Sequence, residues 1–303
     1  FLDGKAIPSI DTMIDWTQET LQTIRQYHEA QRAWLDSFAH YPSGHLGLVD
    51  VDGALELYDG RLRAIDAKGQ RTLDDIPANQ YHQHFGEAVE PWTYLKFPYL
   101  KHLGREEGWN RVGPLARLNV CDRINTPLAE KERQHFFEFA GKRPVNRTLY
   151  YHWARLIEML HCAEVARGLL HDPEILGDDL VREGKRQGEG IGVVEAPRGT
   201  LIHHYRADEK GQVTWCNLIV STTHNNEPMN RAVREVAKRE LSRQKEITEP
   251  MLNQVEIAIR AYDPCLSCAT HAIGDMPLRI ELYDHHEQLL AERTKDSCGL
   301  DAM

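Results

Sequence analysis

The sequence predicts a mainly α-helical domain with small antiparallel β excursions attached. Three observations carry this. Apolar residues recur at helical spacing from Ser9 to His40. A second stretch, Thr148 to Leu170, has an apolar face too wide for a surface helix. Between them lie short β-prone runs bounded by Asp-Gly turns.

The elements follow in order. Ile10, Met13, Ile14, Leu21, Ile24, Trp34, Leu35 and Phe38 mark the first helical region, which Pro42 and Gly44 stop. Leu46 to Asp66 changes period, with Leu55, Leu57, Leu62 and Ile65 set between Asp52-Gly53 and Asp59-Gly60. This reads as a small antiparallel excursion within one domain. Residues 77–114 are irregular, rich in aromatics and punctuated by Pro91, Pro98 and Pro114, so packing loops are expected. Helices follow over Pro127–Ala140 and Thr148–Leu170, the latter central to a bundle, with His152 and His161 as core or interface residues. The glycines of Gly188-Glu189-Gly190-Ile191-Gly192 lack the strand-then-helix context of a phosphate loop and read as tight turns feeding strands. Strands are expected over Val193–Tyr205 and Val213–Val220, helices over Pro228–Lys245 and Glu249–Ile259, and an edge strand over Leu278–Leu290.

Composition bounds the function. The 303 residues can bury a substantial core, and a net charge of −10 opposes a nucleic-acid partner. No run of about 18 apolar residues forms a membrane span. No charged-then-apolar leader marks secretion, so a cytoplasmic location is expected. Phe1 in first position reads as a fragment or a processed chain. Six cysteines in this length are no disulfide scaffold, and Cys121, Cys162 and Cys216 are expected to be reduced core thiols.

The chemistry concentrates in Asp263-Pro264-Cys265-Leu266-Ser267-Cys268-Ala269-Thr270-His271. Asp263 suits an N-cap and Pro264 a first helical position. Cys265 and Cys268 would then share one helical face, their Cβ atoms about 5–6 Å apart, within reach of one metal. A helix N-terminus favours thiolates, and His271 adds a third donor on the next turn. Half a zinc site, a thioredoxin-like dithiol and a capped helix with incidental cysteines fit the spacing too. Two further strings stand out: Glu195-Ala196-Pro197-Arg198-Gly199, which can hold a guanidinium stiffly, and Ser221-Thr222-Thr223-His224-Asn225, a polar strand-to-loop transition.

The full string Arg260 to His271 resembles the C-terminal metal motif of nickel–iron hydrogenase large subunits, and is similar to the cytoplasmic NAD-reducing type. Glu90-Pro91-Trp92-Thr93-Tyr94-Leu95-Lys96 and Arg111-Val112-Gly113-Pro114-Leu115-Ala116-Arg117 look like landmarks of the same subgroup. The resemblance implies the multihelical large-subunit fold and reversible heterolytic cleavage of hydrogen. It implies a nickel–iron centre with cyanide and carbon monoxide on iron. Cys265 would be a terminal nickel ligand and Cys268 the bridge to iron, with Mg2+ near His271. Arg198 would be a guanidinium over the open coordination site, Asp263 its carboxylate partner, and Cys265 a base. Pro197 would pack near the diatomic ligands, and Thr222 would donate to a cyanide, although Ser221 and His224 depart from the residues many relatives carry.

The amino-terminal cysteine motif, the usual proton-relay glutamate and one aspartate near the site are absent. Residues 1–271 are therefore expected to be the C-terminal part of a large subunit, and 272–303 a tail removed on maturation. Implied partners are a small subunit bearing iron–sulfur clusters, NAD-reducing diaphorase subunits, a maturation protease and nickel-delivery proteins. The competing functions are an NADP-reducing or heterodisulfide-reductase-linked hydrogenase, a complex-I-like scaffold without metal, and a zinc-binding module.

Overall fold

The computed structural model describes residues 2–181, 183–242, 246–266, 278–284 and 286–295. The amino-terminal helical region is α1 (Ile7–Ala30) followed by α2 (Arg32–Ser37), broken at Gln31. β1 (Gly44–Val49) and β2 (Arg61–Ile65) form the predicted excursion, and β3 (Arg71–Pro77) extends it beyond Asp66, each pairing antiparallel with the next. A short strand at Asn110–Arg111 joins β1 in parallel, so the sheet is mixed.

Residues 77–114 depart from expectation. After the short helix α3 (Tyr81–His84), β4 (Phe85–Glu90) and β5 (Thr93–Leu100) make a hairpin, then come α4 (Gly104–Glu107) and β6 (Asn110–Arg111). Pro91 sits in the hairpin turn, and Pro98 lies opposite Glu87 in a two-stranded sheet with open edges, where a missing N–H is tolerated. Also unexpected is α5 (Pro114–Val120), in which every residue is buried; a segment enclosed on all sides carries no readable period.

α6 (Pro127–Ala140) lies where predicted, opened by Pro127 and closed by Gly141 in the left-handed region at φ +76°. α7 (Tyr151–Leu170) packs against α1, α5 and α6, and buries Trp153, Ile157 and Leu160. The aromatic rings of Phe136, Tyr150 and Trp153 meet edge to face around His28.

β7 (Glu189–Ala196), β8 (Gly199–Ala207) and β9 (Val213–Ile219) form an antiparallel meander. Gly190 and Gly192 therefore belong to the strand β7 itself rather than to turns, with Gly188 just before it, and the tight turn is Pro197-Arg198. α8 (Ser221–His224), α9 (Asn226–Val236) and α10 (Glu249–Ala261) complete the body. The tail is a hairpin of β10 (Leu278–Tyr283) and β11 (Leu289–Lys295), not one edge strand, because Asp284 accepts from the amides of His286 and Gln288 and turns the chain. Of the three cysteines expected in the core, Cys121 is buried, whereas Cys162 and Cys216 lie exposed. Among the described residues no helix is long and apolar enough to cross a membrane.

Candidate metal centre

Four separated strings converge at one place. The Pro197-Arg198 turn is pressed backbone to backbone against the loop before α5. A Cβ on Gly113 would lie 2.8 Å from the Arg198 carbonyl oxygen, and one on Gly199 would lie 2.4 Å from Val112 Cγ2 and 2.7 Å from the Gly113 nitrogen. Both glycines also hold left-handed backbone, at φ +94° and +134°. The string Arg111–Arg117, expected as a packing loop, is thus the seat of the Arg198 turn. Gly199→Ala should strain the backbone by about 1–3 kcal/mol and force the seat apart. Thermal unfolding of this chain should show the loss, and an unchanged midpoint would contradict it.

Asn225 fixes that seat. Its Oδ1 accepts from the Val112 amide at 3.1 Å and its Nδ2 donates to the Val112 carbonyl at 3.4 Å, where the Tyr151 hydroxyl also donates at 2.9 Å. Beside it Ser221 donates to the Gly199 carbonyl at 2.7 Å. Thr222 is buried, and its hydroxyl accepts from the Cys265 amide at 3.2 Å. His224 is wholly enclosed, and burial lowers its pKa to about 3, so it is neutral at ordinary pH.

The cysteine string is presented by the end of α10. Tyr262 is buried against the Tyr151 ring, 4.9 Å between centroids, and its hydroxyl lies 2.5 Å from that of Tyr41. The enclosed Arg111 donates to Tyr41 at 3.1 Å and covers its ring. Arg155 donates to the Ala261 carbonyl at 3.0 Å, closing the helix. Asp263 then turns left-handed at φ +51° and donates its amide to the Arg260 carbonyl. It is consequently not the expected N-cap: the Cys265 amide goes to Thr222, and the Asp263 carboxylate faces Arg198. Arg198 Nε donates to the Asp263 carbonyl and lies 3.4 Å from Oδ2, with a terminal nitrogen 3.5 Å from Oδ1.

The structure therefore brings Pro197, Arg198, Thr222, Asp263 and Cys265 together. Cys268 and His271 lie outside the described residues. Cys265 is disulfide-bonded in the structure, so it fits a soft metal only once reduced to the thiol. Among the described residues, however, no group of three His, Cys, Asp or Glu side chains could hold a metal ion. The described part of the site is one donor and its polar surroundings.

Sequence reasoning missed Arg117. It lies on α5, 1% exposed, and is paired with Glu158 of α7 and Glu195 of β7 behind the Arg198 turn. An arginine inside a run as enclosed as Leu115-Ala116-Arg117-Leu118 was the available signal.

The nickel-dependent hydrogenase family model matches residues 63–271. The chain belongs to that family. Among its hydrogenase relatives, the NAD-reducing hydrogenase HoxS subunit beta of Cupriavidus necator is 50% identical over 97% of this chain and 61% of its own. The iron-sulfur subunit of an F420-non-reducing hydrogenase of Archaeoglobus profundus is 44% identical over 81% of this chain and 52% of its own. The crystal structure of an NAD+-reducing NiFe hydrogenase in the H2-reduced state superposes with a TM-score of 0.82 at 46% identity, over 88% of this chain and 58% of that one. The fold is thus the hydrogenase large-subunit fold. A NiFeSe hydrogenase of Dm. baculatum, at 19% identity and a TM-score of 0.62, shares that fold. This hydrogenase chain spans between 52% and 61% of the length of the two curated relatives named.

Proposed function

We propose that the chain is the C-terminal part of a nickel–iron hydrogenase large subunit that cleaves and forms hydrogen reversibly, with electrons passing to NAD. The observation that carries this is the meeting of Arg198, Asp263, Thr222 and Cys265, within a chain 50% identical to an NAD-reducing hydrogenase subunit. Cys265 and Cys268 would hold the nickel–iron centre, with cyanide and carbon monoxide on iron, and His271 would hold Mg2+. When bound, the centre supplies a Lewis-acidic site that polarises hydrogen.

The chain's own residues supply the rest. Thr222 orients the cysteine string through the Cys265 amide, and the Cys265 sulfur, once its disulfide is reduced, would take the proton released on heterolysis. Arg198 has N–H groups beyond those used on Asp263 and presents them to the reacting side, next to Pro197. Asp263 holds that guanidinium by its carbonyl and its carboxylate together. In the assembled enzyme, electrons leave through the iron–sulfur clusters of a small subunit to diaphorase subunits, in the cytoplasm. The glycine run is no dinucleotide fingerprint, since Gly190 and Gly192 lie inside the hairpin strand β7 and no helix follows them.

Maturation belongs to the same reading. Residues 1–271 form the body, and 272–303 are removed by a nickel-dependent protease after nickel delivery. In support, β10 and β11 pair only with each other among the described strands. Metal analysis and mass spectrometry of active complex test both parts. Nickel with iron, and a large subunit ending at His271, are expected. Zinc alone, or active enzyme still carrying residues 272–303, would refute the respective part.

A further inference from the structure

Arg117 lies behind the Arg198 turn, and all five N–H groups of its guanidinium are used. Nε donates to Glu158 Oε1 at 2.6 Å, and one terminal nitrogen to Glu158 Oε2 at 2.5 Å and the Pro197 carbonyl at 3.2 Å. The other terminal nitrogen donates to Glu195 Oε2 at 2.7 Å and the Ala196 carbonyl at 2.9 Å. The second oxygen of Glu195 accepts from the Leu48 amide at 3.1 Å and from Thr200 Oγ1 at 2.7 Å. One planar group thus ties α7, both carbonyls just before Arg198, and, through Glu195, the strands β1 and β8.

Enclosed charges of this kind contribute little net stability compared with apolar side chains of the same volume. Their geometric effect is specific. The two carbonyls bound are those of residues 196 and 197, which fix the backbone from which the Arg198 side chain leaves. We infer that Arg117, with Glu195, is a positioning residue that sets the direction of the Arg198 guanidinium at the metal centre. This rests on the role proposed for Arg198. Lysine cannot replace it, because three donors on one nitrogen cannot serve two carboxylates and two carbonyls facing different ways.

Backbone hydrogen exchange of the 303-residue chain tests the geometric claim without metal or turnover. In Arg117→Lys the amides of residues 195, 196 and 198–200 should exchange at least about tenfold faster, while those of β10 and β11 keep their rates. Thr200→Val removes a single hydroxyl from Glu195 and should give a smaller change in the same amides, which keeps the test open if the lysine variant does not fold. Unchanged exchange at these amides in the valine variant, or acceleration spread equally over the whole chain, would overturn the inference.

A double-mutant cycle in the metal-loaded complex then tests the action through Arg198. Once Arg198→Lys is present, Arg117→Lys should lower turnover by less than about twofold more, whereas full additivity would overturn the positioning role. Wild-type turnover in Arg198→Lys alone would instead refute the reaction proposed for Arg198. The hydrogen-exchange result would still decide what Arg117 holds.

Discussion

Cys268→Ala in the complete subunit is expected to abolish stable assembly of the nickel–iron centre. In the role proposed for it, Cys268 would ligate both metals, so its loss should exceed the ~10–100-fold that removal of an outer partner costs in metal affinity. The described free cysteines, Cys121, Cys162 and Cys216, are poor substitutes. Cys121 is enclosed beneath Arg143, which donates to its carbonyl, and burial pushes its thiol up to about 12, so no thiolate forms there. Cys162 on α7 lines a cavity together with Ala196 and Pro197, and burial raises its thiol pKa, which disfavours a thiolate, while Cys216 lies exposed on β9. Nickel and iron content of the purified variant checks this, and normal content of both would overturn the assignment of Cys268.

The helices were legible where their ends carry chemical signals. α6 was found residue for residue because Pro127 opens it and Gly141 closes it. α10 was found because Glu249-Pro250 begins an apolar period that Ala261 ends. The β4–β5 hairpin was not legible, because its alternation is hidden by aromatics on both faces, with Trp92 and Tyr94 exposed and Phe85 and Leu100 buried. The candidate site divides in the same way. Arg198, Thr222, Asp263 and Cys265 stand out in short strings, and the structure unites them. Arg117 does not, since its partners lie 41 and 78 residues away and no local pattern connects them. Local propensity makes Asp263 a cap. The hold of Tyr262 and Arg155 on the end of α10 instead sends the backbone left-handed and aims the carboxylate at Arg198.

Arg198→Lys is expected to leave the metals bound and to slow hydrogen activation by at least about tenfold, or about 1.4 kcal/mol of barrier. Stability should change little. The Arg198 and Asp263 side chains are 38% and 45% exposed, and a pair that open to solvent contributes about 0–1 kcal/mol. Function depends instead on shape. The arginine reaches both the Asp263 carbonyl and its carboxylate through one rigid plane, with donors left over for the reacting side. A lysine ammonium on a flexible stem can satisfy Asp263 only by turning its three donors toward it, and then presents nothing fixed outward. Nickel and iron content, unfolding midpoint and turnover, measured on one preparation, separate the possibilities. Full metal occupancy with an unchanged midpoint and lost turnover is the expected combination. Full occupancy with wild-type turnover would remove Arg198 from the reaction. Lost metal would make it a structural support for the thiol string, which its exposure argues against.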